Sequence, residues 1–154
     1  MAILTYEDFT PGRRFPLGPV EVSAADIIGF AEEFDPQPMH LSEEAGRASI
    51  LGGLAASGWH TSALLMRMMI ESYVGHSTSQ GSPGIDLMDW KTPVLAGDRL
   101  SGHSLVLEAR PMRSRPGLGI VRLRHELENQ RGETVLLCEH AFILRMASST
   151  EVAR

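Results

Sequence analysis

One segment limits what this chain can fold into. Between Gly58 and Tyr73, the residues Trp59, Ala63, Leu64, Leu65, Met66, Met68, Met69 and Ile70 point in nearly every direction around a helix, leaving Arg67 and Glu71 as a narrow polar stripe. A helix that is apolar almost all round is a buried one. About 16 residues make a rod roughly 24 Å long at 1.5 Å per residue, and other elements must wrap it. A membrane does not serve as the wrapper. The apolar stretch from Leu51 to Ile70 is interrupted by Ser57, His60 and Arg67 and carries Gly52, Gly53 and Gly58, whereas a span wants about 20 nearly uninterrupted apolar residues.

The second half of the chain supplies the cover. Within Ile120 to Asn129, Val121, Leu123, His125 and Leu127 alternate with Arg122, Arg124, Glu126 and Glu128, the period-two pattern of a half-buried strand. Within Thr134 to Met146, Leu136, Cys138, His140, Phe142 and Leu144 form one face, and Asn129-Gln130-Arg131-Gly132 reads as the turn between the two strands. Earlier strands are expected at Gly84–Lys91 and Arg99–Arg110. Another is expected near Arg13–Val22, where Pro16 and Pro19 make it an edge or irregular strand. Upstream of the buried rod, Ser23-Ala24-Ala25-Asp26 has the look of a capping box, and Ile27, Phe30, Ala31 and Phe34 mark the apolar face of a first helix that Pro36 stops. A short second helix is expected to begin at Ser42. Four or five antiparallel strands packed by one side on a central helix give an α+β fold.

At 154 residues the chain has room for one domain, so residues 1–154 are read as a single domain. With 14 Lys+Arg against 19 Asp+Glu, the net charge of −5 excludes a general nucleic-acid binder, which needs dense positive charge. The single cysteine, Cys138, fits a reducing compartment. Met1 to Asp8 lacks the basic region of a secretory signal, and a cytoplasmic location is expected.

Two segments carry chemistry. In Asp35-Pro36-Gln37-Pro38-Met39-His40, the prolines hold a carboxylate and an imidazole on a stiff loop after a helix. That stiffness suits a preorganised acid/base pair, and it equally suits an ordinary helix end with an incidental histidine. In Gly52-Gly53-Leu54-Ala55-Ala56-Ser57-Gly58, the buried helix begins behind glycines. Free amides there, aided by the helix dipole, stabilise an oxyanion, and an ordinary serine-capped helix start has the same sequence. The residues alone leave both pairs of readings open. Arg110, Arg113 and Arg115 around Pro116-Gly117 read as a solvated hairpin tip, with phosphate contact as the alternative. The run Met66-Arg67-Met68-Met69 reads as core packing or the lining of an acyl tunnel.

Taken together, Phe30-Ala31, Asp35-x-Gln37-Pro38-x-His40, Gly52-Gly53 and Ala56-Ser57-Gly58 resemble the hydratase motif of the MaoC-like dehydratases, the hot-dog proteins that include the (R)-specific enoyl-CoA hydratases. Trp90-Lys91-Thr92-Pro93-Val94 with Gly97-Asp98 is similar to a later segment of that family, and the resemblance runs from about Thr10 to Arg145. It implies a single hot-dog fold, an antiparallel sheet wrapped around a long central helix. It implies hydration of an enoyl thioester, or dehydration of a 3-hydroxyacyl thioester, across the C2–C3 bond, with coenzyme A as the acyl carrier. Asp35 and His40 would hold and activate water, and the Gly58 N–H would polarise the thioester carbonyl. Gln37, Ser57 and Trp59 are the expected substrate-binding neighbours. Gln37 stands where Asn is commoner in the family, and Ser57 where His often precedes the Gly. The resemblance implies a homodimer and no cofactor. No metal is expected either, since Asp35 and His40, even with His60, do not make the array a zinc site needs. Two rivals share the fold: a non-catalytic acyl-thioester-binding subunit and an acyl-CoA thioesterase.

Overall fold

In the computed structural model, which describes residues 1–147, the strands are β1 (Arg14–Glu21), β2 (Gly84–Trp90), β3 (Arg99–Pro111), β4 (Leu118–Glu128) and β5 (Thr134–Arg145). The helices are α1 (Ala24–Phe34), α2 (Glu43–Ala48) and α3 (Gly58–Ser72). The strands form one antiparallel sheet in the order β1-β3-β4-β5-β2. This is the hot-dog arrangement, with α3 as its filling.

Alternation decides which face of the sheet is inside. Val121, Leu123, His125 and Leu127 of β4 and Leu136, Cys138, His140, Phe142 and Leu144 of β5 are all buried, as the period-two reading required. They meet Leu65, Met68, Met69 and Tyr73 from α3 and its C-cap. An aromatic group closes one end of the core, where Phe15 stacks on Tyr73 at 4.3 Å between ring centroids and Phe9 packs edge-on to Phe142 at 5.5 Å.

The turn between β4 and β5 is built by Asn129, whose side-chain carbonyl accepts from the N–H groups of Arg131 at 3.0 Å and Glu133 at 3.1 Å. β1 is an edge strand with a bulge between Leu17 and Val20, in keeping with its prolines. Gly18 sits in that bulge because a Cβ there would fall 2.7 Å from the Leu100 carbonyl oxygen.

Three expectations are corrected. α3 is not wrapped on every side: Trp59, Met66 and Ile70 are 64%, 44% and 44% exposed. Five strands cover one face of the rod, and the apolar residues on the other face are left bare. Phe34 is also exposed, at the C-terminal end of α1, although its spacing placed it with the buried Ile27 and Ala31. The capping box at Ser23 is half formed: Ser23 Oγ accepts from the Asp26 N–H at 3.1 Å, with no reciprocal bond from the Asp26 side chain. No helix among the described residues is long and apolar enough to cross a membrane.

Candidate active site

The site forms where three segments are laced together by backbone bonds. The strand-like stretch before α3 is zipped to the segment after β2. Ala56 N–H donates to the Val94 carbonyl at 2.8 Å, and Ala96 N–H to the Leu54 carbonyl at 3.0 Å. The second segment is anchored in turn by Asp98, a buried carboxylate that accepts from the Leu95 N–H and from Gln130 Nε2, each at 3.0 Å. The Pro-Val…Gly-Asp signature therefore has two duties. Pro93 and Val94 line a cavity, and Gly97 and Asp98 fasten the segment to the rest of the fold.

Asp35 is the C-cap of α1, and its N–H donates to the Ala31 carbonyl at 2.9 Å. The chain then enters a 3-10 turn, Pro38–His40, with Pro at its first position. Gln37 has a visible purpose here, since its Nε2 donates to Asp35 Oδ1 at 2.7 Å and fixes the carboxylate. The His40 side chain is only 6% exposed, and its Nδ1 lies 2.6 Å from the Ala55 carbonyl oxygen. A carbonyl only accepts, so Nδ1 carries the proton and the neutral ring presents the Nε2 lone pair. Nε2 lies 3.5 Å from Asp35 Oδ2. At that distance the two groups share one small volume without a strong direct bond.

The charges follow from these contacts. The Asp35 carboxyl is held below the ordinary aspartate range, first by the nearby Ser57 hydroxyl and then by Gln37, with His40 adding a smaller attraction; partial burial opposes them. Ser57 Oγ is buried and has no hydrogen-bond partner by distance and angle. His60, on the first turn of α3, stacks on Phe30 at 4.8 Å, and burial lowers its pKa.

A cavity of about 240 Å3 opens beside His40 and Gly58. Its wall is mostly apolar, built by Met39, Leu51, Ala55, Ala56, Trp90, Pro93, Val94 and Val135, with Thr61 and Thr92 as polar exceptions. The Gly58 N–H makes no hydrogen bond among the described residues. Trp90 lies flat against Gly58: a Cβ on that glycine would be 2.6 Å from the indole ring. Trp90 Nε1 donates to Ser62 Oγ at 3.1 Å, which pins the ring over the start of the helix.

The structure thus gathers Asp35, His40 and Gly58 at one place. Gln37, Ser57 and Trp59 are not part of the cavity wall. Gln37 holds Asp35, Ser57 is buried at the helix start, and Trp59 packs edge-on against Trp90 at 5.2 Å. Of the methionine run, Met68 and Met69 are core, and none of its members lines the cavity. Trp90, Thr92, Leu51 and Val135 were missed as lining residues. For Trp90 and Thr92 a signal existed, since they belong to the same segment as Pro93-Val94; Leu51 and Val135 arrive by long-range packing alone. Among the described residues, no cluster of three or more His, Cys, Asp or Glu side chains is placed to hold a metal.

A hot-dog sheet around a helix, with an aspartate and a histidine meeting before the helix start, defines the class of protein. The model of the MaoC-like domain matches residues 8–129, and the chain belongs to that family of hydratases and dehydratases. A solved MaoC-like dehydratase from Rhodospirillum rubrum is 42% identical, covers 93% of this chain and 97% of its own, and superposes with a TM-score of 0.85. The uncharacterized protein YdeM of Bacillus subtilis is 32% identical over 140 residues, 90% of this chain and 97% of the relative. A 3-hydroxybutyryl-CoA dehydratase of Methylorubrum extorquens is 29% identical over 123 residues, 77% of this chain and 73% of the relative.

Proposed function

We propose that this protein is a hydro-lyase that adds water across the C2–C3 double bond of a 2-enoyl-CoA and, in reverse, dehydrates the 3-hydroxyacyl-CoA. The observation that carries this reading is the 3.5 Å approach of His40 Nε2 to Asp35 Oδ2 beside a cavity that Gly58 also lines. A water lodged beside the two groups would donate to both, because the carboxylate oxygen accepts and so does Nε2 when Nδ1 carries the proton. Its oxygen attacks C3 while one proton passes to the pair. The electrons of the double bond shift toward the thioester oxygen, where the free Gly58 N–H and the α3 dipole meet the developing charge. A proton returned to C2 completes the addition, and the thioester bond stays intact throughout. The name of the Methylorubrum extorquens relative supports a CoA thioester as the substrate. The chemistry needs no cofactor.

We further propose a homodimer. β2 pairs only with β5 among the described residues; it carries the partly exposed Ile85, Leu87 and Trp90, and Trp90 meets Trp59 of the bare stripe of α3. An edge strand with an apolar surround is a template for a second copy. Both edges have an irregularity, between Leu17 and Val20 in β1 and between Ile85 and Leu87 in β2, but only β1 carries prolines.

The test is incubation of the pure protein with 2-enoyl-CoA of several chain lengths. Loss of the conjugated double bond without release of free thiol is the expected result. Thiol release would make the protein a thioesterase, and tight binding without turnover would make it an acyl-thioester-binding subunit.

A further inference from the structure

Two hydroxyl side chains stand next to each other on α3, and the protein satisfies only one of them. Ser62 Oγ donates to the Gly58 carbonyl, one turn back, at 3.1 Å and accepts from Trp90 Nε1 at 3.1 Å. Bonding to the carbonyl four residues back is a common arrangement for a hydroxyl inside a helix. Thr61 is 3% exposed, yet its hydroxyl has no hydrogen-bond partner among the described residues. Its i−4 acceptor, the Ser57 carbonyl, takes the amides of His60 and Thr61 instead, at 2.9 and 3.1 Å. Nor is the hydroxyl sealed in the core. Among the described residues, the closed-off side-chain atoms without a partner are Ser57 Oγ, His60 Nδ1 and His125 Nε2. Thr61 lines the cavity beside His40, so its hydroxyl opens on that cavity.

Position narrows what the hydroxyl can meet. Thr61 follows Gly58 by three residues, so the two share one face of α3, about 4.5 Å apart along its axis. Thr92, half-buried after β2, lines the same cavity, and its hydroxyl is likewise without a partner among the described residues. Apart from His40 the other side chains of the wall are apolar. No cation lines it: Lys91, beside Thr92 in the chain, is exposed and paired with Asp89 at 2.7 Å. In an apolar pocket, a few placed polar groups set orientation and specificity. We propose that Thr61, with Thr92, is a specificity-determining residue that hydrogen-bonds a neutral oxygen, a hydroxyl or a ketone, on C4 of the acyl chain. A chain held by its thioester oxygen at the Gly58 N–H reaches the level of Thr61 within a few bonds. A carboxylate on that chain would meet no counter-charge, and a plain alkyl chain would leave the hydroxyls unpaired. The choice of an acyl thioester as ligand rests on the hydratase reading; the unpaired hydroxyls do not.

The test has a binding arm and a kinetic arm. Titration calorimetry compares pentanoyl-CoA with 4-oxopentanoyl-CoA, neither of which has a double bond to hydrate. The wild type is expected to hold the oxo compound about tenfold more tightly, roughly the worth of one neutral hydrogen bond. Thr61→Val should abolish the preference, and Thr61→Ser, which keeps the hydroxyl, should retain it. If Thr61→Val does not fold, Thr92→Val on the loop carries the same readout. In the kinetic arm, kcat/KM is compared for pent-2-enoyl-CoA and 4-hydroxypent-2-enoyl-CoA, and the same preference should appear in the wild type and shrink in Thr61→Val. Equal affinity of the wild type for the two saturated thioesters, or no binding of either, overturns the proposal, because water alone then satisfies the threonines. A preference that survives in both valine variants overturns it as well. A wild type that shows the binding preference but hydrates neither enoyl thioester overturns the hydratase reading instead and leaves the role of Thr61 supported.

Discussion

At the scale of single residues, the site depends on which nitrogen of His40 carries the proton. The 2.6 Å contact to the Ala55 carbonyl assigns it to Nδ1 and turns the basic nitrogen toward Asp35. Each member of the pair then has a distinct task. Asp35→Asn and His40→Ala should each lower hydration by about 10²–10⁴-fold with an unchanged circular dichroism spectrum. Hydration that persists undiminished in both would remove the pair from the mechanism. The pair was legible in the sequence as a stiff acid/base loop, because proline restricts the backbone wherever it occurs. The tautomer was not, because it is set by a carbonyl on a segment far along the chain. Ser57 was read as a cap, and its exclusion from capping depends on how the chain enters α3, which no local pattern reports.

At the scale of elements, α3 carries opposite duties at its two ends. Its start is crowded by Trp90, so a methyl group at Gly58 has no room. Gly58→Ala should destabilise the protein by about 1–3 kcal/mol through overpacking. Combined with Trp90→Leu it should show a coupling above about 0.5 kcal/mol in denaturant unfolding; additive effects would mean the two residues do not meet. Its far end is tied to the sheet by a buried relay. The Tyr73 hydroxyl donates to Ser104 Oγ at 2.9 Å, and Ser104 Oγ shares a hydrogen bond with His125 Nδ1 at 2.7 Å. Burial first, then the neighbouring His140 and His103, push the His125 pKa down to about 3. In the unfolded chain the ring takes a proton near 6.5. The unfolded state therefore binds more protons between these values, and stability falls as pH drops through that window, by up to about 1.4 kcal/mol per pH unit for this group. His60 and His140 are lowered too, also by burial, and add to the loss. Urea midpoints measured from pH 7 to pH 5 should decline, with a shallower slope in His125→Gln; equal slopes would contradict the account. The strands themselves were readable because alternation over β4 and β5 is nearly unbroken. The bare stripe of α3 was not, since an apolar face announces burial without saying by what.

At the scale of the whole molecule, the bare stripe and the free edge of β2 belong to one surface, joined where Trp59 meets Trp90. Sedimentation at micromolar concentration should give a dimer, and Ile85→Lys on the β2 edge should shift it toward monomer. A wild type that stays monomeric and active would contradict the assembly. The central claim concerns bond-making at the site and is tested most directly by the fate of water oxygen. The protein is given a 2-enoyl-CoA in ¹⁸O-water, and the product is weighed by mass spectrometry. The account predicts one heavy oxygen on C3 of an intact 3-hydroxyacyl-CoA, formed by the wild type and nearly absent with Asp35→Asn. Heavy oxygen in a released carboxylate, or none in any product, would contradict it.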